Sequence, residues 1–152
     1  MKINIICVGK LKEKYLAEAQ AEYIKRLSRF CDVNILELND EKDDIPDAIE
    51  KEGTRILSKI DPKDYVICLA IEGKKLNSEA FSEKITSVFD SAKPVIDFVI
   101  GGSLGLSDNV KKRADMLLSF SDMTFPHQLM RIILLEQVYR AYKIANNENY
   151  HK

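Results

Sequence analysis

The sequence predicts an α/β fold in which a mostly parallel sheet is flanked by helices. Strand-like segments rich in β-branched residues alternate along the chain with segments whose apolar residues recur at helical spacing. The segment 65–71 is apolar throughout, which is typical of a parallel strand covered on both faces. A chain of 152 residues has the usual size of one domain. We therefore expect a single domain spanning residues 1–152.

The first half of the chain contains two strand–helix units. The opening strand alternates apolar and polar residues and ends at Gly9, and apolar residues at helical spacing run from Leu16 to Phe30. An acidic loop with Pro46 precedes the second helix, and Gly53 in that helix weakens its prediction. The predicted elements are a strand at 2–8, a helix at 13–30, a strand at 33–38, a loop at 39–47 and a helix at 48–60.

The second half repeats the alternation with more strongly apolar strands. The predicted elements are a strand at 65–71, a helix at 77–91, a strand at 95–100, a short helix capped by Ser107 and reaching Asp115, a strand at 116–120 and a long helix at 128–146. Ligands of such sheets bind beyond the carboxyl ends of the strands. Three predicted loops lie at that edge, at residues 72–74, 101–105 and 121–127, and they are the candidate ligand-binding segments.

Two of these loops have the composition of a binding site. The glycine-rich segment 101–105 lets a ligand approach the backbone closely, yet it matches neither the Walker nor the dinucleotide pattern. A plain turn between strand and helix is the alternative. The segment 120–127 mixes two aromatic residues and a methionine with hydroxyls. It suits an adenine-sized ligand, with apolar walls for the ring and backbone groups for its edges; the alternative is a loop that folds inward to fill the core.

The last helix contains more apolar surface than one chain is expected to bury. Residues 132–135 are apolar on every side of one helical turn, and Arg131 falls on an otherwise apolar face. A charge on such a face is paired or functional, because burying it alone is costly. One interpretation is a subunit interface with Arg131 pointing into a site. The other is a structural arginine that pairs with a carboxylate.

The net charge and its distribution along the chain bear on whether the protein binds nucleic acid. The net charge is −1, which argues against nucleic-acid binding through bulk electrostatics. The charge is unevenly distributed, however: residues 1–31 carry +4, residues 111–152 carry +3, and the stretch between them carries −8. Two basic ends that meet in the fold would form a local basic face. Simple segregation of solvated helix surfaces is the alternative.

The cysteines and histidines indicate no disulfide or metal site. The three cysteines, Cys7, Cys31 and Cys68, are far apart and lack Cys-x-x-Cys spacing. The two histidines, His127 and His151, have no further ligands spaced to join them, and either is a candidate proton acceptor near neutral pH. No apolar run approaches the ~20 residues that a membrane span needs, and no signal peptide precedes the first strand. We expect a cytoplasmic protein without metal or membrane partners.

Six sequence blocks, in this order along the chain, form a recognisable pattern. The blocks are Val8–Lys12, Leu69–Lys74, Phe98–Leu106, Leu118–Arg131, Glu136–Ala141 and Tyr150–Lys152. Taken together, they resemble the ribosomal RNA large subunit methyltransferase H family, pseudouridine N3-methyltransferases of the SPOUT class. The match spans essentially the whole chain and departs at Leu104, where a polar residue is more usual.

The resemblance implies a SPOUT fold with a carboxy-terminal trefoil knot within roughly residues 65–152, a homodimer, and S-adenosyl-L-methionine as cofactor. Its substrate would be pseudouridine 1915 in helix 69 of 23S rRNA, methylated at N3 in the assembled 70S ribosome. The implied cofactor-binding residues are Leu69, Ile71, Gly73, Gly101, Gly102, Phe120, Ser121, Asp122, Met123, Thr124 and Phe125.

For the reaction itself, Arg131 would stabilise the carbonyl oxygens that flank N3, and His127 or His151 would accept the N3 proton. The substrate-binding candidates are Tyr139, Arg140, Tyr150 and Lys152. Two alternatives stay open. One is a ribosome-associated module that binds nucleotide without catalysis, and the other is a knotted methyltransferase that acts on transfer RNA.

Overall fold

The computed structural model describes all residues, 1–152, as five strands that alternate with five helices. The strands are β1 (Lys2–Val8), β2 (Asp32–Leu38), β3 (Tyr65–Lys75), β4 (Val95–Ile100) and β5 (Met116–Ser119). The helices are α1 (Lys14–Leu27), α2 (Ala48–Leu57), α3 (Ser78–Asp90), α4 (Asp108–Arg113) and α5 (His127–Ala145). The predicted class and the order of all ten elements are confirmed. All five helices end one to three residues earlier than predicted.

The strands form one sheet in the order β2-β1-β4-β3-β5, and every neighbouring pair is parallel. Apolar clusters cover both faces. The larger cluster joins the sheet to α1, α3 and α5, with Phe98 and Leu134 fully buried in it. The smaller cluster joins the other face to α2 and α4 through residues such as Ile56 and Val110. This burial on both faces explains the continuous apolar run of residues 65–71 in β3.

Strand β3 differs from the prediction at its carboxyl end. The sequence predicts a loop at residues 72–74, whereas the strand continues to Lys75 with an interruption in its pairing with β5: Leu69 and Lys74 both lie opposite Leu118. The residues between them leave the ladder. The strand resumes because Gly73 lies flat against β5, where a Cβ would come within 2.6 Å of the Leu117 carbonyl carbon.

The short helix α4 begins as predicted, because the Ser107 hydroxyl accepts a hydrogen bond from the Val110 amide at 3.3 Å. Helix α2 packs closely against this start, since a Cβ on Gly53 would overlap the Ser107 hydroxyl. Gly53, which weakened the helix prediction, is therefore required because α2 and α4 pack too closely to leave room for a side chain at this position.

Replacing Gly53 with alanine should accordingly destabilise the protein. The added methyl gains helix propensity but forces α2 and Ser107 apart, and such overpacking costs about 1–3 kcal/mol. Denaturant unfolding would measure the loss, with Thr54→Ala on the exposed side of the same turn as a control that should stay within about 0.5 kcal/mol of wild type. Equal stability of the two variants would contradict close packing of α2 on α4.

The three cysteines are buried and free. Burial raises the pKa of Cys7 and of Cys31 to about 11 and that of Cys68 to about 12. They are therefore protonated at neutral pH and behave as small apolar core residues. No helix is both long and apolar enough to cross a membrane.

Candidate active site

A cavity of about 260 Å³ opens at the carboxyl edge of β3, β4 and β5, where ligands of parallel sheets bind. Its walls come from segments that are far apart in the sequence. They are residues 69–72, 100–102, 105–106, 118–121 and 123–125, together with Lys111, His127 and Met130. Just over half of the lining residues are hydrophobic. The cavity thus combines apolar walls with exposed loop backbone, the usual make-up of a site for a small organic ligand.

Nine of the eleven predicted cofactor-binding residues line this cavity. They are Leu69, Ile71, Gly101, Gly102, Phe120, Ser121, Met123, Thr124 and Phe125. The other two lie outside it. Gly73 packs against the backbone of β5, and the Asp122 carboxylate points to solvent and pairs with Lys75 at 2.6 Å.

Hydrogen bonds shape the two loops of the cavity. In the turn 101–105, the Gly105 amide donates to the Gly102 carbonyl at 3.1 Å. In the other loop, the Ser119 hydroxyl donates to the Ser121 carbonyl at 3.1 Å, and the Met123 amide donates to the Ser121 hydroxyl at 3.0 Å. The Met123 side chain remains 74% exposed at the mouth, so an aromatic ring entering the cavity can cover it.

The cavity mouth contains a pair of opposite charges that sequence reasoning missed. The Lys111 ammonium lies 2.7 Å from the Glu72 carboxylate, and both residues line the cavity. The lysine hydrogen bond lowers the pKa of Glu72. The apolar walls suit an adenosyl group, and the two charges suit the ammonium and carboxylate of an amino acid. The lining therefore fits S-adenosylmethionine, although Lys111 lies in a helix with no sequence signal of its own.

Arg131 does not line the cavity. Its side chain is 1% exposed and donates to the Glu37 carboxylate at 2.7 Å, to the Gln20 side chain at 3.3 Å and to the Gly9 carbonyl at 3.3 Å. Burial opposes ionisation of Glu37, but the hydrogen bonds from Arg131 and from the Leu11 amide outweigh it and lower the Glu37 pKa. Within one chain, Arg131 thus has the contacts of the structural alternative, an arginine paired with a carboxylate.

These contacts fix the loop of residues 9–13, hereafter the Gly9 loop, against the start of α5. The Leu11 amide donates to Glu37 at 3.2 Å, and the Lys12 amide donates to the Gln128 side chain at 3.0 Å. Gly9 borders the start of α5, where a Cβ would be in ordinary contact with His127 Nε2 at 3.6 Å. Arg131 and Glu37 therefore hold a loop with two unpaired lysines, Lys10 and Lys12, beside the one histidine that lines the cavity.

The remaining candidates form a separate cluster around the chain end. The Tyr139 and Tyr150 rings meet edge to face at 5.0 Å, and the Arg140 guanidinium lies 4.7 Å from the Tyr150 ring centre. His151 contacts Arg140 at 3.2 Å and Glu79 at 2.9 Å. Lys152 is exposed beyond it. The structure brings three of the four predicted substrate-binding residues, Tyr139, Arg140 and Tyr150, together with His151, but outside the cavity of their own chain.

No cluster of three or more histidine, cysteine or carboxylate side chains is arranged to hold a metal ion. The fold and the cavity together define a class: an α/β protein with a small-molecule site built from two loops and the irregular end of β3 at the carboxyl edge of a parallel sheet.

Comparison with known proteins supplies the family. The family model described as "Predicted SPOUT methyltransferase" matches residues 1–151, and the chain belongs to this family. It is similar to proteins named ribosomal RNA large subunit methyltransferase H from Exiguobacterium sp. (strain ATCC BAA-1283 / AT1b), with 55% identity, and from Streptococcus agalactiae serotype III (strain NEM316), with 56% identity. Each similarity covers 100% of both chains.

Among solved structures, a probable methylase family protein from Haemophilus influenzae Rd KW20 has a similar fold. The TM-score is 0.57 with 13% sequence identity, over 99% of this chain and 70% of that chain. At this identity the likeness concerns the fold alone. It agrees with a five-stranded parallel sheet flanked by helices, the architecture described above.

Proposed function

We propose that this protein transfers a methyl group from S-adenosylmethionine to N3 of a pseudouridine in 23S rRNA, the base in helix 69 that the family resemblance implies. The observation that carries the proposal is the cavity, in which segments from three strand ends and His127 surround a site that fits the cofactor. The relatives that match over their full length are named for ribosomal RNA methylation. Cytoplasmic ribosomes would provide the substrate.

In the proposed reaction, S-adenosylmethionine provides the methyl group, and the protein aligns the substrate and accepts the proton. Bound S-adenosylmethionine supplies an electrophilic methyl group on a sulfonium. The chain aligns the target nitrogen with it, and such positioning supplies a large part of the rate in a displacement reaction. We assign proton acceptance from N3 to a ring nitrogen of His127, because this histidine lines the cavity and His151 does not in the same chain.

We further propose that the enzyme works as a homodimer in which α5 forms the interface. Leu134 and Leu135 are buried in the chain's own core, but Ile132 and Ile133 are only partly covered and Leu129 is 39% exposed. A second copy packed there would cover these residues. It would also bring the cluster of Tyr139, Arg140, Tyr150 and His151 close to the partner's cavity, where the substrate base is bound. A trefoil knot within 65–152, in a single domain, belongs to the same proposal.

The Gly9 loop is the proposed contact with rRNA phosphates. Lys10 and Lys12 form no salt bridge within the chain and lie on a loop fixed beside His127. A local basic patch of this kind suffices for docking on one ribosomal surface, even at a net charge of −1.

Replacing Lys10 and Lys12 together with alanine should weaken binding to the ribosome and leave cofactor binding intact. Each lost phosphate contact is expected to reduce the slope of log K against log salt by roughly one. Equilibrium binding to 70S ribosomes over a salt series measures this, with Lys51→Ala, an exposed lysine of α2, as the matched control. An unchanged salt slope in the double variant would remove the Gly9 loop from the rRNA interface.

The reaction itself is tested by transfer of tritiated methyl groups from S-adenosylmethionine to four acceptors: 70S ribosomes, 50S subunits, naked 23S rRNA and bulk transfer RNA. We expect label on ribosomes or subunits alone. Label on transfer RNA would support the alternative knotted enzyme. No label on any acceptor, despite cofactor binding, would support a module that binds without catalysis.

A further inference from the structure

Glu52 is a buried carboxylate with one oxygen that has no partner. The residue lies in α2 and is 4% exposed. Its Oε2 accepts a hydrogen bond from the Glu41 amide at 2.8 Å. Its Oε1 is buried and accepts none. The nearby Arg55 donates instead to the Glu41 side chain and to the Asn39 carbonyl, so no cation compensates Glu52.

Such an arrangement is unfavourable for stability. A buried polar atom without a partner costs free energy, and more so when it carries charge. An uncharged side chain of the same shape would keep the Glu41 bond and avoid part of this penalty. Two other buried side-chain atoms, Asp97 Oδ2 and Arg131 Nε, also lack a partner, and each such exception in a protein interior requires an explanation. For Glu52, the surroundings of the free oxygen supply a functional one.

The free oxygen faces the glycine turn 101–105. Oε1 lies 3.7 Å from the position that a Cβ on Gly102 would occupy, and Gly102 lines the cavity. The turn has donors to offer, because the amides of Ser103 and Leu104 donate no hydrogen bond within the chain. Gly105 has a φ of +80°, which glycine adopts without strain, and nothing lies within 4 Å of the position that its Cβ would occupy, so the turn has free space on that side.

The acidic segment 39–47 links Glu52 to the same turn by a second route. The Glu41 amide is bound to Glu52, and two residues later the Asp43 carboxylate accepts a hydrogen bond from the Ser103 hydroxyl at 2.7 Å. Helix α2, the acidic segment and the glycine turn are thus joined by hydrogen bonds on one side of the cavity.

We propose that Glu52 is a positioning residue for the cofactor: its free Oε1 accepts a hydrogen bond from a backbone amide of the 101–105 turn when that turn closes on an S-adenosyl ligand. The inference rests on the proposed function of the cavity. In the ligand-free protein Oε1 is then an acceptor without a donor, and the donor arrives only when the turn closes on the ligand. The hydrogen bond formed in the complex offsets the free-energy cost of burying this oxygen unpaired.

Glu52→Gln separates this role from a structural one. The glutamine keeps an oxygen for the Glu41 amide and places an NH₂ group, which cannot accept, where Oε1 lies. We expect a free energy of unfolding equal to or above that of wild type without ligand. We also expect a dissociation constant for S-adenosylhomocysteine at least tenfold higher. Glu50→Gln, an exposed glutamate of the same helix, should leave both quantities unchanged.

Hydrogen exchange of the wild-type protein gives an independent readout that needs no variant. Adding S-adenosylhomocysteine should slow exchange of the Ser103 and Leu104 amides, and this protection should be absent in Glu52→Gln. Wild-type affinity in Glu52→Gln, or a turn whose amides stay unprotected in the complex, would overturn the inference while leaving the proposed function standing. Failure of the wild-type protein to bind S-adenosylhomocysteine would instead overturn the proposed function, and this inference with it.

Discussion

Replacing Arg131 with alanine is expected to abolish methyl transfer while binding of S-adenosylhomocysteine survives. The guanidinium holds Glu37, Gln20 and the Gly9 carbonyl, so its loss releases the Gly9 loop beside His127. The cavity walls contain none of these groups. The variant should also lose about 3 kcal/mol of stability, the lower end for a broken buried pair, since Glu37 is one-third exposed and regains water. Activity must therefore be measured well below the unfolding temperature.

Glu37→Gln shows how Arg131 acts. It removes the charge partner and keeps the shape, so it loosens the Gly9 loop while Arg131 remains. If Arg131 acts by holding that loop, Glu37→Gln should lose much of the activity as well. If Arg131 itself stabilises the carbonyl oxygens beside N3, Glu37→Gln should retain activity and Arg131→Lys should not, because lysine lacks the planar fork of donors. Wild-type turnover of Arg131→Ala would remove Arg131 from the mechanism altogether.

His127→Asn is expected to reduce the methyl-transfer rate by about 10²- to 10⁴-fold, the usual contribution of a general base. The asparagine preserves polarity at the cavity wall, so binding of S-adenosylhomocysteine should change little. Single-turnover transfer to 70S ribosomes, with cofactor and ribosomes saturating, isolates the chemical step from binding.

His151→Asn is the matched control for that experiment. In one chain His151 contacts Glu79 and Arg140, so its loss should weaken substrate binding more than the chemical step. The opposite pattern, a normal rate in His127→Asn and a collapsed rate in His151→Asn, would transfer the role of proton acceptor to the chain end supplied by the partner.

The strands and helices were predicted well because the hydrophobic periodicity that indicates each one depends only on residues within that segment. The strands at 2–8 and 95–100 have the predicted bounds, and the Ser107 cap is where the sequence places it. The extension of β3 to Lys75 was missed because it depends on pairing with β5, which lies more than forty residues further along the chain. The loops at 101–105 and 121–127 were found because they follow apolar strands in a parallel sheet. The prediction of a loop at 72–74 was wrong, because these residues belong to β3.

The partners of buried charges could not be predicted from the sequence. Arg131 is recognisable as a charge on an apolar helix face, but Glu37, its partner, lies 94 residues away in a strand with no distinguishing pattern. The ion pair between Glu72 and Lys111 and the unpaired oxygen of Glu52 could not be predicted either. Both depend on how the fold brings distant segments of the chain together. Residues at the chain end were recognised through the family resemblance, and a fraying terminus gives no local signal.

The most direct test of the proposed reaction is mass spectrometry of nucleosides from 23S rRNA after incubation of purified enzyme and S-adenosylmethionine with two kinds of 70S ribosome. One kind has pseudouridine in helix 69, and the other has unmodified uridine there. We predict one 3-methylpseudouridine for each ribosome that contains pseudouridine and little product without it. Methyl groups on ribose, on another base, or on both ribosomes alike would contradict the proposed methylation of pseudouridine at N3.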